Sequence, residues 1–94
     1  MEENNNSMFI GNKPFMNYVT GVVMQFTTKG ANEIVIKARG KFISRAVDIA
    51  EVVCKRFLAE TIQVKNIKID SEGFTNTEGK PVKVSIIEIT LGRK

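Results

Sequence analysis

The side chains in this chain best suited to act on a ligand are its lysines and arginines. In Glu33-Ile-Val-Ile-Lys-Ala-Arg-Gly-Lys-Phe42, a short apolar run leads directly into Lys37, Arg39 and Lys41. Cations held by a strand and the turn after it are presented rigidly, which suits them to the phosphates of a polyanion. Lys13, beside Pro14, makes a second group. Lys68, Lys80 and Lys83 make a third, and Arg93-Lys94 forms a basic tail. The inventory for catalysis is poor: the chain has no histidine, one cysteine and no Gly-x-Gly phosphate loop, so no catalytic set, no metal site and no cofactor is expected. Asp48 and Glu51 share a helical surface with Arg45 and Lys55 and read as surface ion-pair partners. Cys54 falls in an apolar arc, where a thiol is usually an inert small hydrophobe.

The charge balance agrees with a polyanionic partner without requiring one: 14 Lys and Arg against 10 Asp and Glu, a net +4 over 94 residues. With 43% hydrophobic residues there is enough apolar surface for one core. Residues 1–7 are polar and aperiodic and are expected to be a frayed tail, leaving residues 8–94 as a single domain. No apolar run reaches the roughly 18 residues of a membrane span, and the start lacks the pattern of a signal peptide. The expectation is a soluble, cytoplasmic chain with no membrane partner.

Periodicity supplies the elements that must carry the cations. Met8-Phe9-Ile10 reads as a short strand. A helix follows from Pro14 to Gly30, with Phe15, Met16, Tyr18, Val19, Val22, Val23 and Phe26 in one apolar arc and Asn12 near its cap. Ile34, Ile36 and Ala38 share one parity of a strand over Asn32 to Arg39, and Val35, Lys37 and Arg39 share the other. A second helix from Lys41 to Leu58 gathers Phe42, Ile43, Ala46, Val47, Ile49, Ala50, Val53, Cys54 and Phe57 on its apolar side, with Val52 stranded among charged neighbours. Ile62 and Val64 alternate, and Ile67 and Ile69 resume on the opposite parity, which predicts a bulge near Lys65-Asn66 or an exchange of buried face. Val82 to Leu91 is the return strand. Asp70 to Pro81, with a turn at Glu78-Gly79, is expected to project as a flexible arm. The order β-α-β-α-β-β implies an α/β (α+β) two-layer sandwich, with two helices on a mixed four-stranded sheet.

Base reading has little support. Phe15, Tyr18, Phe26, Phe42 and Phe57 are claimed by helix arcs, which leaves Phe9 and Phe74 unassigned. Cations without a stacking platform imply salt-sensitive binding dominated by phosphates. For Lys37 and Arg39, simple solvation of a strand face stays open beside ligand contact.

Four phrases, Ile10-Gly-Asn-Lys-Pro-Phe-Met-Asn-Tyr-Val19, Glu33-Ile-Val-Ile-Lys-Ala-Arg-Gly-Lys41, Ile43-Ser-Arg-Ala-Val-Asp48 and Val84-Ser-Ile-Ile-Glu-Ile89, resemble the Alba family of small archaeal chromatin proteins. The resemblance implies a βαβαββ fold and a homodimer, with higher assembly on DNA left open. It also implies binding of double-stranded DNA and of RNA with little sequence preference, compaction of DNA, and a chromosome-associated location. The alternative is an RNA-binding subunit of a ribonucleoprotein or RNA-processing complex. Matched residue by residue, the family's lysine-rich loop corresponds to Asn12 and Lys13, with Lys13 the candidate for acetylation. Its basic strand end corresponds to Arg39 and Lys41, and its groove-reaching hairpin to the region from Gly73 to Lys83. Its dimer-to-dimer aromatic corresponds to Phe57, which the arc places on the buried side. Asn12 replaces the first of a frequent lysine pair, and Cys54 stands where some relatives carry arginine. Both changes remove positive charge, which implies weaker DNA binding that fails at lower salt.

Overall fold

The computed structural model describes residues 6–94, so most of the expected N-terminal tail lies outside the described residues; Ser7, assigned to that tail, opens the first strand. Strand β1 (Ser7–Phe9) leads to helix α1 (Phe15–Thr27) and strand β2 (Glu33–Arg39). One 3-10 turn (Gly40–Phe42) precedes helix α2 (Ile43–Val52), which widens into a π-helical turn (Val53–Phe57). Strands β3 (Ile62–Thr75) and β4 (Pro81–Arg93) complete the chain. The sheet order is β1-β2-β4-β3, with β1 parallel to β2 and β4 antiparallel to both its neighbours. This is the expected two-helix layer on a mixed sheet.

The two-residue period of β2 decides how the sheet is covered. Ile34, Ile36 and Ala38 are buried, as are Ile87, Ile89 and Leu91 on β4. Together with Val19, Val22 and Phe26 of α1 and Ala46, Ile49 and Ala50 of α2 they form one core. Val35, Lys37 and Arg39 face away from the helices. In α1 the expected arc is buried at Tyr18, Val19, Val22 and Phe26, whereas Met16 is 48% exposed. Pro14 sits just before the first helical residue with no side-chain cap on the helix, so Asn12 does not cap it.

The π-helical turn corrects the reading of the second helix. Leu58 N–H donates to Val53 O across five residues at 2.8 Å, and the extra residue in that turn rotates everything after it relative to an α-helix. Leu58 therefore packs against the core in the place the α-helical arc gives to Phe57, which is 51% exposed. Val47 is also exposed, at 41%, while Val52 packs at the edge of the core.

The hairpin is more regular than a flexible arm. Strand pairing continues from Ile62↔Arg93 to Thr75↔Pro81, broken only by a register shift between Val64 and Asn66, at the expected bulge. Strand β2 stops pairing at Arg39↔Ile86, so residues beyond Ile86 towards the turn form a two-stranded ribbon that extends past the sheet. The Asn76 side-chain oxygen accepts from Glu78 N–H at 2.9 Å and Lys80 N–H at 3.0 Å, and Gly79 takes φ 79°. That left-handed conformation favours glycine at the tip.

Candidate nucleic-acid interface

Because β1 and β2 run parallel, the segments that follow them emerge at the same end of the sheet, and the ribbon projects from that end too. Lys13 follows β1, Arg39 ends β2 and Lys41 follows it, so two of the expected cation groups lie at that end. Lys80 and Lys83 extend along the ribbon, both exposed.

The loop that carries Asn12 and Lys13 is held from two sides. The Tyr18 hydroxyl oxygen, one turn into α1, accepts from Gly11 N–H at 2.8 Å and Lys13 N–H at 3.2 Å. From α2, Arg45 donates through Nη1 to Gly11 O at 3.0 Å and through Nη2 to Lys13 O at 2.7 Å. Its guanidinium also lies 5.7 Å from the Tyr18 ring centroid. With the backbone N–H and C=O groups of Gly11 and Lys13 satisfied inward, the loop leaves the Asn12 and Lys13 side chains exposed. Sequence reasoning misses Arg45. It reads as a solvated helix residue, and nothing local marks it as the partner of carbonyls 32 and 34 positions away.

At the other corner, Gly40 takes φ 56°, turning the chain from strand into the 3-10 turn, and Lys41 stays exposed with its ammonium 5.4 Å from the Phe42 ring. Arg39 reaches the base of the ribbon, 3.3 Å from a Glu72 carboxylate oxygen and 6.0 Å from the Phe74 ring. Lys37 and Lys68 do not join the corner. Strand register places them on either side of Glu88, on the sheet face turned away from the helices.

The basic tail is not free. Arg93 Nη2 donates to Phe26 O and Ala31 O at 3.0 Å each, and Lys94 Nζ donates to Ala59 O at 2.8 Å. Both residues lie at the end of the sheet opposite Lys13 and satisfy carbonyls at or just past the helix C-termini.

Among the described residues, no group of three or more His, Cys, Asp or Glu is placed to hold a metal. Burial pushes the Cys54 thiol above its ordinary range, and Glu51 pushes it further, against weaker lowering by Lys55 and Lys94. A thiol kept protonated in this way is a poor nucleophile.

The Alba family model matches residues 6–71. The chain belongs to the Alba family. It is 55% identical over 89 residues to "DNA/RNA-binding protein Alba 1" of Archaeoglobus fulgidus, covering 95% of this chain and 97% of that protein. It is 59% identical over 88 residues to "DNA/RNA-binding protein Alba" of Nanoarchaeum equitans, covering 93% and 97%. The solved structure of Alba from Thermoplasma volcanium superposes with a TM-score of 0.84 at 48% identity, covering 94% of this chain and all of that one. The Alba fold is therefore common to this chain and its relatives, and the loop at Lys13, the corner at Lys41 and most of β3 fall within the matched residues.

Proposed function

We infer that this chain is an architectural protein that coats or compacts double-stranded DNA, and also binds RNA, chiefly through phosphates and with little sequence preference. The observation that carries the reading is the convergence of Lys13, Arg39 and Lys41 on the sheet end from which the ribbon with Lys80 and Lys83 projects. Cations on two corners and a flanking arm match a polyanion wider than either corner, as a duplex is. The names of the Archaeoglobus and Nanoarchaeum relatives, each a DNA/RNA-binding protein, agree with it. It is not read as an enzyme, and it works at the chromosome.

The working unit is a homodimer. Val64, Ile67 and Ile69 of the edge strand β3, at 38%, 57% and 77% exposure, and Val47 of α2, at 41%, leave apolar surface uncovered. A second copy of the chain burying that surface accounts for apolar residues that would otherwise face water. Phe57, turned outward by the π-helical turn, is free to serve contacts between dimers. Lys13, exposed on a clamped loop, is the position at which acetylation would remove a cation from the phosphate path.

The test is titration of a fluorescent duplex across a salt series with the wild-type chain and with Lys13, Arg39 and Lys41 all replaced by alanine. The slope of log K against log salt should flatten by about 0.9 for each phosphate that is no longer neutralised, and affinity at low salt should collapse. Unchanged affinity at low ionic strength overturns the reading. Competition by structured RNA at matched salt decides between chromatin and a ribonucleoprotein role.

A further inference from the structure

The sheet face turned away from the helices carries a second arrangement that shares only Arg39 with the phosphate-binding corner. Phe9 on β1 is 73% exposed, with the Lys37 ammonium 5.5 Å from its ring centroid. Across the same face, Phe74 is 45% exposed beside Arg39. Beside Phe9 lies a hollow of about 440 Å³ whose lining includes Lys37, Arg39, Phe42, Glu72, Ile86 and Glu88. An exposed ring forgoes the gain of burial, and here it borders a concave, largely apolar site ringed by charges of both signs, the make-up of a ligand pocket.

The charges on this face separate it from the corner. Lys37, Arg39 and Lys68 are matched by Asp70, Glu72 and Glu88, so the face has no excess of cations to offer the phosphate wall of a duplex. A single strand makes different demands. Its bases expose their flat faces for stacking on an aromatic ring, its sparser phosphates need only isolated cations, and the exocyclic amino group of cytosine can donate to a carboxylate. Phe9, Lys37 with Arg39, and Glu72 with Glu88 supply these three in one hollow. The Arg39–Glu72 pair is more than half exposed on both sides, so exchanging it for a phosphate contact costs little.

The geometry points to this face as a platform for single-stranded nucleic acid, with an unpaired base stacked on Phe9 and its phosphates on Lys37 and Arg39. The inference rests on the nucleic-acid reading above and adds a second site to it, continuous with the corner through Arg39.

Fluorescence anisotropy with an unstructured cytidine-rich oligoribonucleotide and with a short mixed-sequence duplex tests it. Phe9→Ala should weaken single-strand binding about tenfold, the worth of one stacked base, and change duplex binding by less than about twofold. Phe9→Tyr, which keeps the ring, should bind the single strand like wild type. Equal weakening for both ligands, or none for the single strand, overturns the inference, as does a changed association state of the free Phe9→Ala protein in light scattering, which would put a second copy of the chain on this face. Failure of the wild-type chain to bind either oligonucleotide removes the parent reading itself, whereas duplex binding with a single strand indifferent to Phe9 removes this inference alone.

Discussion

The loop at Gly11–Lys13 and the ribbon beyond Ile86 bring cations to the same end of the sheet, yet they are held in opposite ways. The loop is pinned by side chains from both helices, four hydrogen bonds from or to Tyr18 and Arg45. The ribbon depends on one two-stranded ladder and a tip closed by Asn76, with no helix beneath it. A two-stranded ribbon is marginal by itself, so it can bend to follow a ligand, whereas the loop meets the ligand already shaped. Under the proposed function, Lys13 would be a fixed contact, and Lys80 and Lys83 adjustable ones.

Breaking the clamp should have the largest effect. Tyr18 is 7% exposed and is both a core ring and the acceptor for two loop N–H groups. Tyr18→Ala should cost about 3–5 kcal/mol of stability, the range for removing a buried aromatic ring, measured by urea unfolding. Tyr18→Phe keeps the ring and should cost only about 1 kcal/mol. Hydrogen exchange separates the two regions: in Tyr18→Phe, protection should fall at Gly11 and Lys13 and stay unchanged along the ribbon.

Arg45→Lys should have the next largest effect, because an ammonium keeps the charge but cannot reproduce the fork that spans Gly11 O and Lys13 O. A loss of about 1–2 kcal/mol is expected, half or more of it as weaker duplex binding. The salt slope should stay at the wild-type value, since a positioning residue neutralises no phosphate of its own. A flattened slope would make Arg45 a direct phosphate ligand and would dissolve the contrast between clamp and contact.

Most of the frame is legible in the sequence, and the parts that are not share a cause. The alternation of Ile34, Ile36 and Ala38 and the arcs of both helices report burial, which leaves a pattern residue by residue, and the parity change after Val64 correctly signals the bulge. The clamp leaves no such pattern, because Arg45 and the carbonyls it bridges are far apart in sequence and meet only after folding. The outward turn of Phe57 depends on one extra residue in a helical turn, invisible to a fixed rotation per residue. The ribbon reads as a loop because neither of its faces is buried by a helix, so its strand character lies in a ladder of backbone hydrogen bonds that side-chain periodicity does not record. Of the candidate site, Lys13, Arg39 and Lys41 stand out by spacing and do meet. Lys37 shares that spacing and the sheet face of Arg39 but stands two residues short of the strand end, and Lys68 faces it across Glu88, so neither reaches the corner.

Asn12→Lys sharpens the contrast from the side of the loop. Asn12 is exposed on a backbone already fixed by Tyr18 and Arg45, so a lysine there would be presented without further ordering. Duplex affinity should rise at low salt, and the salt slope should steepen by about 0.9 for each further phosphate neutralised. Equal affinity and slope would mean that position 12 faces away from the ligand.

The smallest change is expected where the ribbon meets the corner. Glu72 lies 3.3 Å from Arg39, with side chains 52% and 55% exposed, and an exposed pair contributes about 0–1 kcal/mol. Glu72→Gln should therefore leave the unfolding midpoint almost where it was. It should still raise duplex affinity about twofold, because Arg39 no longer has to exchange a carboxylate for a phosphate and a negative charge leaves the path of the backbone. The gain should shrink as salt rises. If the substitution instead lowers affinity, the Arg39–Glu72 contact is what aligns the ribbon for binding, and the ribbon is as much a positioned element as the loop.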